Sequence, residues 1–270
     1  MFPELFRIGP ITLKTYGLFV AIAFLVGINY AKKQTKNSYI GGEVILDLFL
    51  WLLVSGLVGA RILYVVLNWE FYKTNLVEVF YIWSGGLVFY GGLVFGFLAG
   101  VIYAIKRKLP LWHIADIIAP GILLGVAIGR IGCLAAGCCY GKPTNLPWGI
   151  RFTNPASLVP ENALGLKLHP TQIYESLFCF LVFIILHFLT TRRHKKFDGE
   201  IFFISIIAYS ILRFFIEFLR WDDRGTRIFG LFPSQFISII LVVVSISLFL
   251  RLSLRRVDSH EVGRSDEQTK

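Results

Sequence analysis

Seven ionisable side chains lie within or at the edge of long apolar stretches: Asp47, Arg61, Asp116, Arg130, Glu175, Arg213 and Glu217. A charge in hydrocarbon is costly, so such groups tend to face a cavity or a partner. Arg213 and Glu217 are four residues apart and share one helix face. That spacing allows a local ion pair; it also lets Glu217 steady a guanidinium that points at an anionic ligand. Arginine suits phosphate because its planar fork donates two parallel hydrogen bonds and stays charged at any relevant pH. Arg130 sits in Gly129–Arg130–Ile131–Gly132, at the junction of an apolar stretch and a long outer segment, where the glycines expose the backbone. Two such arginines point to an anionic, amphipathic substrate. A phospholipid fits that description.

Three of the four cysteines fall together, at Cys133, Cys138 and Cys139. Their C-x4-C-C spacing is not a zinc or iron–sulfur framework. His169 joins them as a fourth ligand only by folding back across some thirty residues, so the expectation is no metal and no cofactor. On an oxidising side of the membrane, a disulfide from Cys133 to Cys138 or Cys139 is open. Cys179, alone in an apolar stretch, reads as a packing residue. His169 is the only histidine of the outer segment, beside Pro170. It either fixes the loop by a hydrogen bond or handles a proton.

The elements that must position these groups follow from composition. The chain has 270 residues, 56% hydrophobic and 16% charged, with a mean hydropathy of +0.67. A soluble domain carries about 25% charged residues, so a water-soluble globule is excluded, as is a disordered chain. Seven stretches approach the roughly 20 apolar residues that cross a bilayer as a helix. They run Tyr16–Ala31, Val44–Leu67, Leu87–Ile105, Ile114–Gly129, Gln172–Leu189, Ile201–Phe218 and Phe232–Leu250. The first and fourth are short and borrow from their flanks. The expected fold is an all-α polytopic membrane protein with a long outer loop at about residues 130–171. Residues 1–256 form a single membrane domain, and the polar tail at 257–270 is read as disordered. Met1–Lys14 has none of the features of a cleavable signal peptide.

The net charge of +10 fits either nucleic acid or the cytoplasmic face of a membrane protein. Position decides. Lys32, Lys33 and Lys36, then Lys106, Arg107 and Lys108, then Arg192, Arg193, Lys195 and Lys196, then Arg251, Arg255 and Arg256 follow alternate spans. Clusters on one side put the N-terminus outside and the C-terminus in the cytoplasm. Nucleic acid is excluded as a partner, because the cations are not pooled among aromatics. In the third span Gly92, Gly96 and Gly100 recur every four residues, a face for close helix packing. Gly85, Gly86 and Gly91 flank Tyr90, where they either leave room for a ligand or unwind the helix end.

Gly129–Thr144, GRIGCLAAGCCYGKPT, resembles the signature of the bacterial prolipoprotein diacylglyceryl transferases, approximately G-R-x-G-N-F-x-N-G-E-x-x-G. TYGL at Thr15–Leu18, HPTQIYE at His169–Glu175 and YSILRFFIEFLR at Tyr209–Arg220 match in order, and GARILYV around Arg61 and ADIIAP around Asp116 also look like family segments. The resemblance implies transfer of the diacylglyceryl group of phosphatidylglycerol to the lipobox cysteine of a prolipoprotein signal peptide. A thioether forms and glycerol phosphate leaves, at the outer face of the bacterial cytoplasmic (inner) membrane. It implies that Arg130 and Arg213 hold the lipid phosphate, and that Tyr16, Gly141, Tyr209, Glu217 and Arg220 contribute to substrate binding. Membrane lipids are implied partners.

Three departures from the pattern bear on the chemistry. The family's F-H-G-G is Phe89–Tyr90–Gly91–Gly92, so the histidine regarded as base is Tyr90. The signature Asn and Glu are Cys133 and Cys138. A phenol, with an ordinary pKa near 10, is a poor base at neutral pH, though it donates a hydrogen bond. The thiol proton then goes to His169, to a phosphate oxygen of the lipid or to water. A relative using another lipid donor or thiol acceptor remains an alternative. An anionic-solute transporter is a weaker one, since neither repeated halves nor broken midplane helices are visible.

Overall fold

The computed structural model describes residues 2–8, 11–81, 85–191, 195–222, 227 and 229–268. Arg192, Arg193, Asp223 and Arg224, expected in polar connections, lie outside the described residues. Eight helices are named in chain order: α1 (Thr15–Gln34), α2 (Gly42–Leu67), the short α3 (Trp69–Tyr72), α4 (Phe89–Lys106), α5 (Leu111–Ala136), α6 (Thr171–Thr191), α7 (Glu200–Leu219) and α8 (Pro233–Gln268). All but α3 are long and apolar enough to cross a membrane. In lipid a chain must satisfy its backbone internally, and a continuous helix does so. Large apolar side chains face outward, among them Leu93 and Phe97 on α4 and Leu177 and Leu181 on α6. This is a multi-pass membrane protein.

Two expected boundaries moved. Both short spans are full helices, α1 of 20 and α5 of 26 residues. The fourth continues through Gly129 and Gly132 because a glycine among small apolar residues weakens a helix only modestly. It therefore carries Arg130 inside the helix rather than at its junction with the loop. Pro120 stands within α5, which membrane helices tolerate because neighbours re-satisfy the freed carbonyl. At the chain's other end, the α8 backbone stays helical past residue 256 into the polar tail, whose Glu and Gln are good helix formers. Two small antiparallel sheets complete the described structure: β1 (Glu4–Ile8) with β2 (Ile11–Lys14), and β3 (Ile150–Arg151) with β4 (Lys167–Leu168).

The chain divides into two compact units, residues 30–114 and residues 1–29 with 115–270. In the smaller unit α2 and α4 pack through glycines. A Cβ on Gly91 would lie 2.4 Å from the Gly59 carbonyl oxygen, and one on Gly92 would lie 3.1 Å from that of Gly56. Gly96 and Gly100 face Leu52, so the small-residue face is a packing surface. Buried Arg61 donates to the carbonyls of Glu78, Val79, Gly85 and Gly86 and lies over the rings of Tyr64 and Tyr72. It thereby holds the chain that leads into Tyr90.

In the larger unit, Leu123 and Ala127 of α5 meet Cys179, Val182 and Leu186 of α6 and Ile201 of α7. Cys179 is fully buried there, as a packing residue should be. The segment between α5 and α6 has its own core of Tyr140, Phe152, Val159, Ala163 and Leu168. Gly132 lets α1 approach α5: a Cβ there would meet Phe19 Cβ at 2.7 Å and Tyr16 Cα at 3.5 Å.

Asp116 caps the start of α7 from α5. Its carboxylate accepts from the N–H groups of Gly199 (2.7 Å) and Phe202 (2.9 Å) and from Lys195 Nζ (2.8 Å). Asp116→Ala strands these donors, at a cost of about 1–3 kcal/mol. The expected result is a thermal unfolding midpoint in detergent lower by a few degrees; an unchanged midpoint would show that the cap contributes nothing.

Candidate active site

Glu175, in the second turn of α6, is 2% exposed and receives three partners from two other helices. Arg130 Nη2 on α5 reaches its Oε1 at 2.8 Å, and the Tyr209 hydroxyl on α7 donates to the same oxygen at 2.9 Å. Arg213 Nη1, one turn beyond Tyr209, lies 3.8 Å from Oε2. Arg213 Nη2 pairs with Glu217 Oε2 at 3.2 Å, so the local pair allowed by the sequence does form. Glu217 is also buried. The four charges balance, and the carboxylates hold both guanidiniums in fixed orientations. Arg213 Nη1 is buried and makes no hydrogen bond among the described residues. Its ion-pair partner, Glu175 Oε2, lies beyond hydrogen-bond distance.

A second group sits where the outer segment crosses the end of α7. Gly141 donates its N–H to His169 O (3.0 Å) and forms a β-bridge with Arg220, while Lys142 donates to Leu219 O (2.7 Å). A Cβ on Gly141 would come within 2.6 Å of His169 Cβ and 2.9 Å of Leu219 O, so only glycine fits this crossing. Arg220 forms a two-pronged pair with Asp222, at 3.0 and 2.7 Å. Among the described residues, the His169 ring's one hydrogen bond joins Nδ1 and the Tyr174 hydroxyl, at 3.3 Å. Tyr16, in the first turn of α1, keeps 46% of its surface exposed. Tyr90, in the first turn of α4, belongs to the smaller unit and lies edge-on to Phe89.

The cysteines converge because of how α5 ends. Gly137 adopts a left-handed φ of +80°. Its N–H returns to Leu134 O, and the Cys138 N–H returns to Cys133 O. This is the six-to-one, five-to-two closure of a Schellman motif, and it carries Cys138 back over Cys133. Cys139 then takes a φ of +62°, a strained value for a residue with a side chain. Thr171 Oγ1 fixes its carbonyl at 2.6 Å, and Gln172 Nε2 fixes that of Cys138 at 2.7 Å. All four cysteines are free thiols, and the sulfurs of Cys133, Cys138 and Cys139 lie within 4.8 Å of one another. Arg130 Nη1 contacts Cys139 Sγ at 3.5 Å and Cys133 Sγ at 3.8 Å. Hydrogen bonds from Cys133 and Cys138, then the Arg220 and Arg130 charges, hold the Cys139 thiol well below the ordinary thiol range despite its burial. Hydrogen bonds with Cys133 and Cys139, with burial, push Cys138 up.

Arg130, Tyr209, Arg213 and Glu217 thus share one charge network, and Gly141, His169 and Arg220 share one crossing. The residue missed as a site member is Glu175. Its signal was a carboxylate inside an apolar stretch, the same signal that singled out the arginines. Thr171 and Gln172 lay in the same motif and carried no signal of their own.

The sequence profile described as prolipoprotein diacylglyceryl transferase matches residues 3–251. The chain belongs to the prolipoprotein diacylglyceryl transferase family. Relatives named phosphatidylglycerol–prolipoprotein diacylglyceryl transferase include that of Finegoldia magna, 37% identical over 95% of this chain and 98% of its own. Those of Thermosynechococcus vestitus (38%, 80% and 81%) and Listeria welshimeri (34%, 94% and 90%) are similar. As a prolipoprotein diacylglyceryl transferase family member, the chain carries the Glu175 network and the three cysteines wholly inside the matched region.

Breaking a buried ion pair costs about 3–5 kcal/mol because it leaves an uncompensated charge. Losing a neutral hydrogen bond costs about 1 kcal/mol. Glu175→Gln should therefore lower the unfolding midpoint in detergent much more than Tyr209→Phe. Equal midpoints would show that Glu175 does not hold the network together.

Proposed function

We propose that this protein transfers the diacylglyceryl group of phosphatidylglycerol to the lipobox cysteine thiol of a prolipoprotein. The observation that carries the reading is the pair of guanidiniums, Arg130 and Arg213, set by one buried carboxylate, with Arg213 Nη1 ion-paired to it at 3.8 Å but making no hydrogen bond among the described residues. The sulfur attacks the glyceryl carbon bonded to the phosphate oxygen. A C–S bond forms, the C–O bond breaks, and its electron pair leaves on glycerol phosphate. The developing negative charge falls on phosphate oxygens, and fixed donors in a water-poor site stabilise it without reorganising. Those donors are Arg130 and Arg213.

The thiol proton goes to His169 Nε2, the ring nitrogen left after Nδ1 engages Tyr174. A phenol at Tyr90 donates a hydrogen bond and is a poor base. Gly141 and Arg220 shape the lipid-binding crossing, Tyr209 and Glu217 fix the arginines, and Tyr16 lies at the first turn of the helix packed on Gly132. The reaction takes place at the outer face of the bacterial inner membrane. The N-terminus and the segment between α5 and α6 are outside, the C-terminus is cytoplasmic, and the acceptor is the lipobox of a signal peptide.

In proteoliposomes containing phosphatidylglycerol, a lipobox peptide should gain the mass of a diacylglyceryl thioether. Arg130→Ala and Arg213→Ala should each lower turnover by about 10²–10³, the effect of removing one oxyanion donor. Full turnover in both variants would remove the phosphate assignment. Product formed with another headgroup but not with phosphatidylglycerol would replace the donor.

Orientation has its own test. A fluorescent reporter that matures only in the cytoplasm, fused after Lys270, should be bright. A dark, full-length fusion would reverse the topology.

A further inference from the structure

The three-sulfur cluster has no role in the reaction as derived above, yet it is built. One side chain comes from the last turn of α5, one from the Schellman closure, and one from a residue in a strained left-handed conformation. Two side-chain hydrogen bonds from the start of α6 lock the carbonyls of the last two. Such strain persists only where the surroundings impose it, and it gathers at functional positions.

We propose that Cys133, Cys138 and Cys139 form a three-thiolate Zn(II) site whose open fourth position takes the acceptor thiol. Zinc holds thiolates at about 2.3 Å in a tetrahedron, which puts bound sulfurs about 3.8 Å apart. Sulfurs already within 4.8 Å reach that spacing by small side-chain rotations. Among the described residues no fourth His, Cys, Asp or Glu joins the group. Structural zinc sites close with four protein ligands; catalytic ones keep three and an open position. Zinc has no redox chemistry, so the site serves as a Lewis acid only.

The location suits S-alkylation. Arg130 touches two of the sulfurs through Nη1 and Glu175 through Nη2, so one side chain joins the cluster to the proposed phosphate site. Thiols coordinated by zinc are deprotonated. Binding therefore releases the acceptor's proton to His169 and leaves a metal-bound thiolate next to the carbon it attacks. The C–S bond forms as the C–O bond breaks, and the neutral thioether, a weaker ligand, departs. Zinc stays Zn(II) throughout. A metal-activated thiolate also does the work of the histidine replaced by Tyr90. The acceptor role rests on the transferase reading; the metal site does not.

The test uses the purified full-length chain in detergent, reduced and stripped with a chelator, with Co(II) as the optical stand-in for zinc. A thiolate-to-cobalt charge-transfer band should rise and saturate at one equivalent, and Zn(II) should abolish it. Cys133→Ser, Cys138→Ser and Cys139→Ser should each weaken binding by at least the roughly 10–100-fold cost of losing an outer-shell partner. Cys179→Ser should leave binding unchanged.

The unaltered chain provides a second readout that does not depend on the folding of the serine variants: zinc should shield three of its four thiols from alkylation. No charge-transfer band, alkylation of all four thiols in zinc, or a disulfide within the trio when the chain is isolated without reductant would each overturn the site. A lipobox peptide should then intensify the cobalt band, and its Cys→Ser version should not. Cobalt binding without a peptide effect overturns the acceptor role. Cobalt binding without any thioether product overturns the transferase reading and keeps the metal site.

Discussion

A carboxylate buried among helices carries a large desolvation cost unless charged partners surround it, and Glu175 is placed under that constraint. Arg130, Arg213 and Tyr209 come to it from two other helices. Each arginine could not stand in an apolar bundle alone, and neither could the acid. Their mutual dependence fixes where α5, α6 and α7 meet, and the aliphatic layer of Leu123, Val182, Leu186 and Ile201 packs around that meeting. The balance of two acids and two arginines also explains how two guanidiniums can stand close together in a buried network. Repulsion between guanidiniums is screened by the carboxylates that orient them.

The pattern of apolar runs was enough to locate seven helices, because a span must be continuous and long to satisfy its backbone in lipid. Its boundaries were less legible. Gly129 and Gly132 read as the start of a loop, but the helix ends only at Gly137, where the left-handed turn and its two return hydrogen bonds form. What distinguishes a packing glycine from a terminating one is the neighbour it meets. For Gly132 that neighbour is Phe19, more than a hundred residues away. The β1–β2 hairpin and the small core around Phe152 were likewise hidden, since short strands leave little periodic signal.

The site was legible in part for the same reason. Charges inside apolar stretches stand out, so Arg130, Arg213 and Glu217 were found directly. Glu175 carried the same mark, but which acid serves which arginine is a matter of contacts between helices, and one sequence holds no record of them. Gly141 matched a motif without a reason; the reason is a backbone crossing with no room for a Cβ between His169 and Leu219. The cysteines gave the opposite lesson. Their linear spacing fits no metal framework, because C-x4-C-C rules assume extended knuckles or regular helix. A Schellman closure followed by a left-handed residue brings three sulfurs spread over seven positions into one small volume.

The departures from the family pattern fall on related chemical tasks, and that relation constrains any mechanism. At the position where the resemblance implies a histidine base, Tyr90 carries a phenol. Replacing the signature Asn and Glu by Cys133 and Cys138 removes an amide and an acid and supplies two sulfurs to the cluster that Arg130 touches through Cys133 and Cys139. Losing the acid from that place makes the neighbourhood less negative, which favours a phosphate; gathering thiols there restores negative charge only if they ionise. Neutral thiols would be poor neighbours for a guanidinium that donates to them, whereas thiolates satisfy it. A divalent cation would permit three thiolates to coexist within a few ångströms, and without one like-charge repulsion would keep two of the three protonated. The charge state of the trio therefore turns on what occupies the space between the sulfurs.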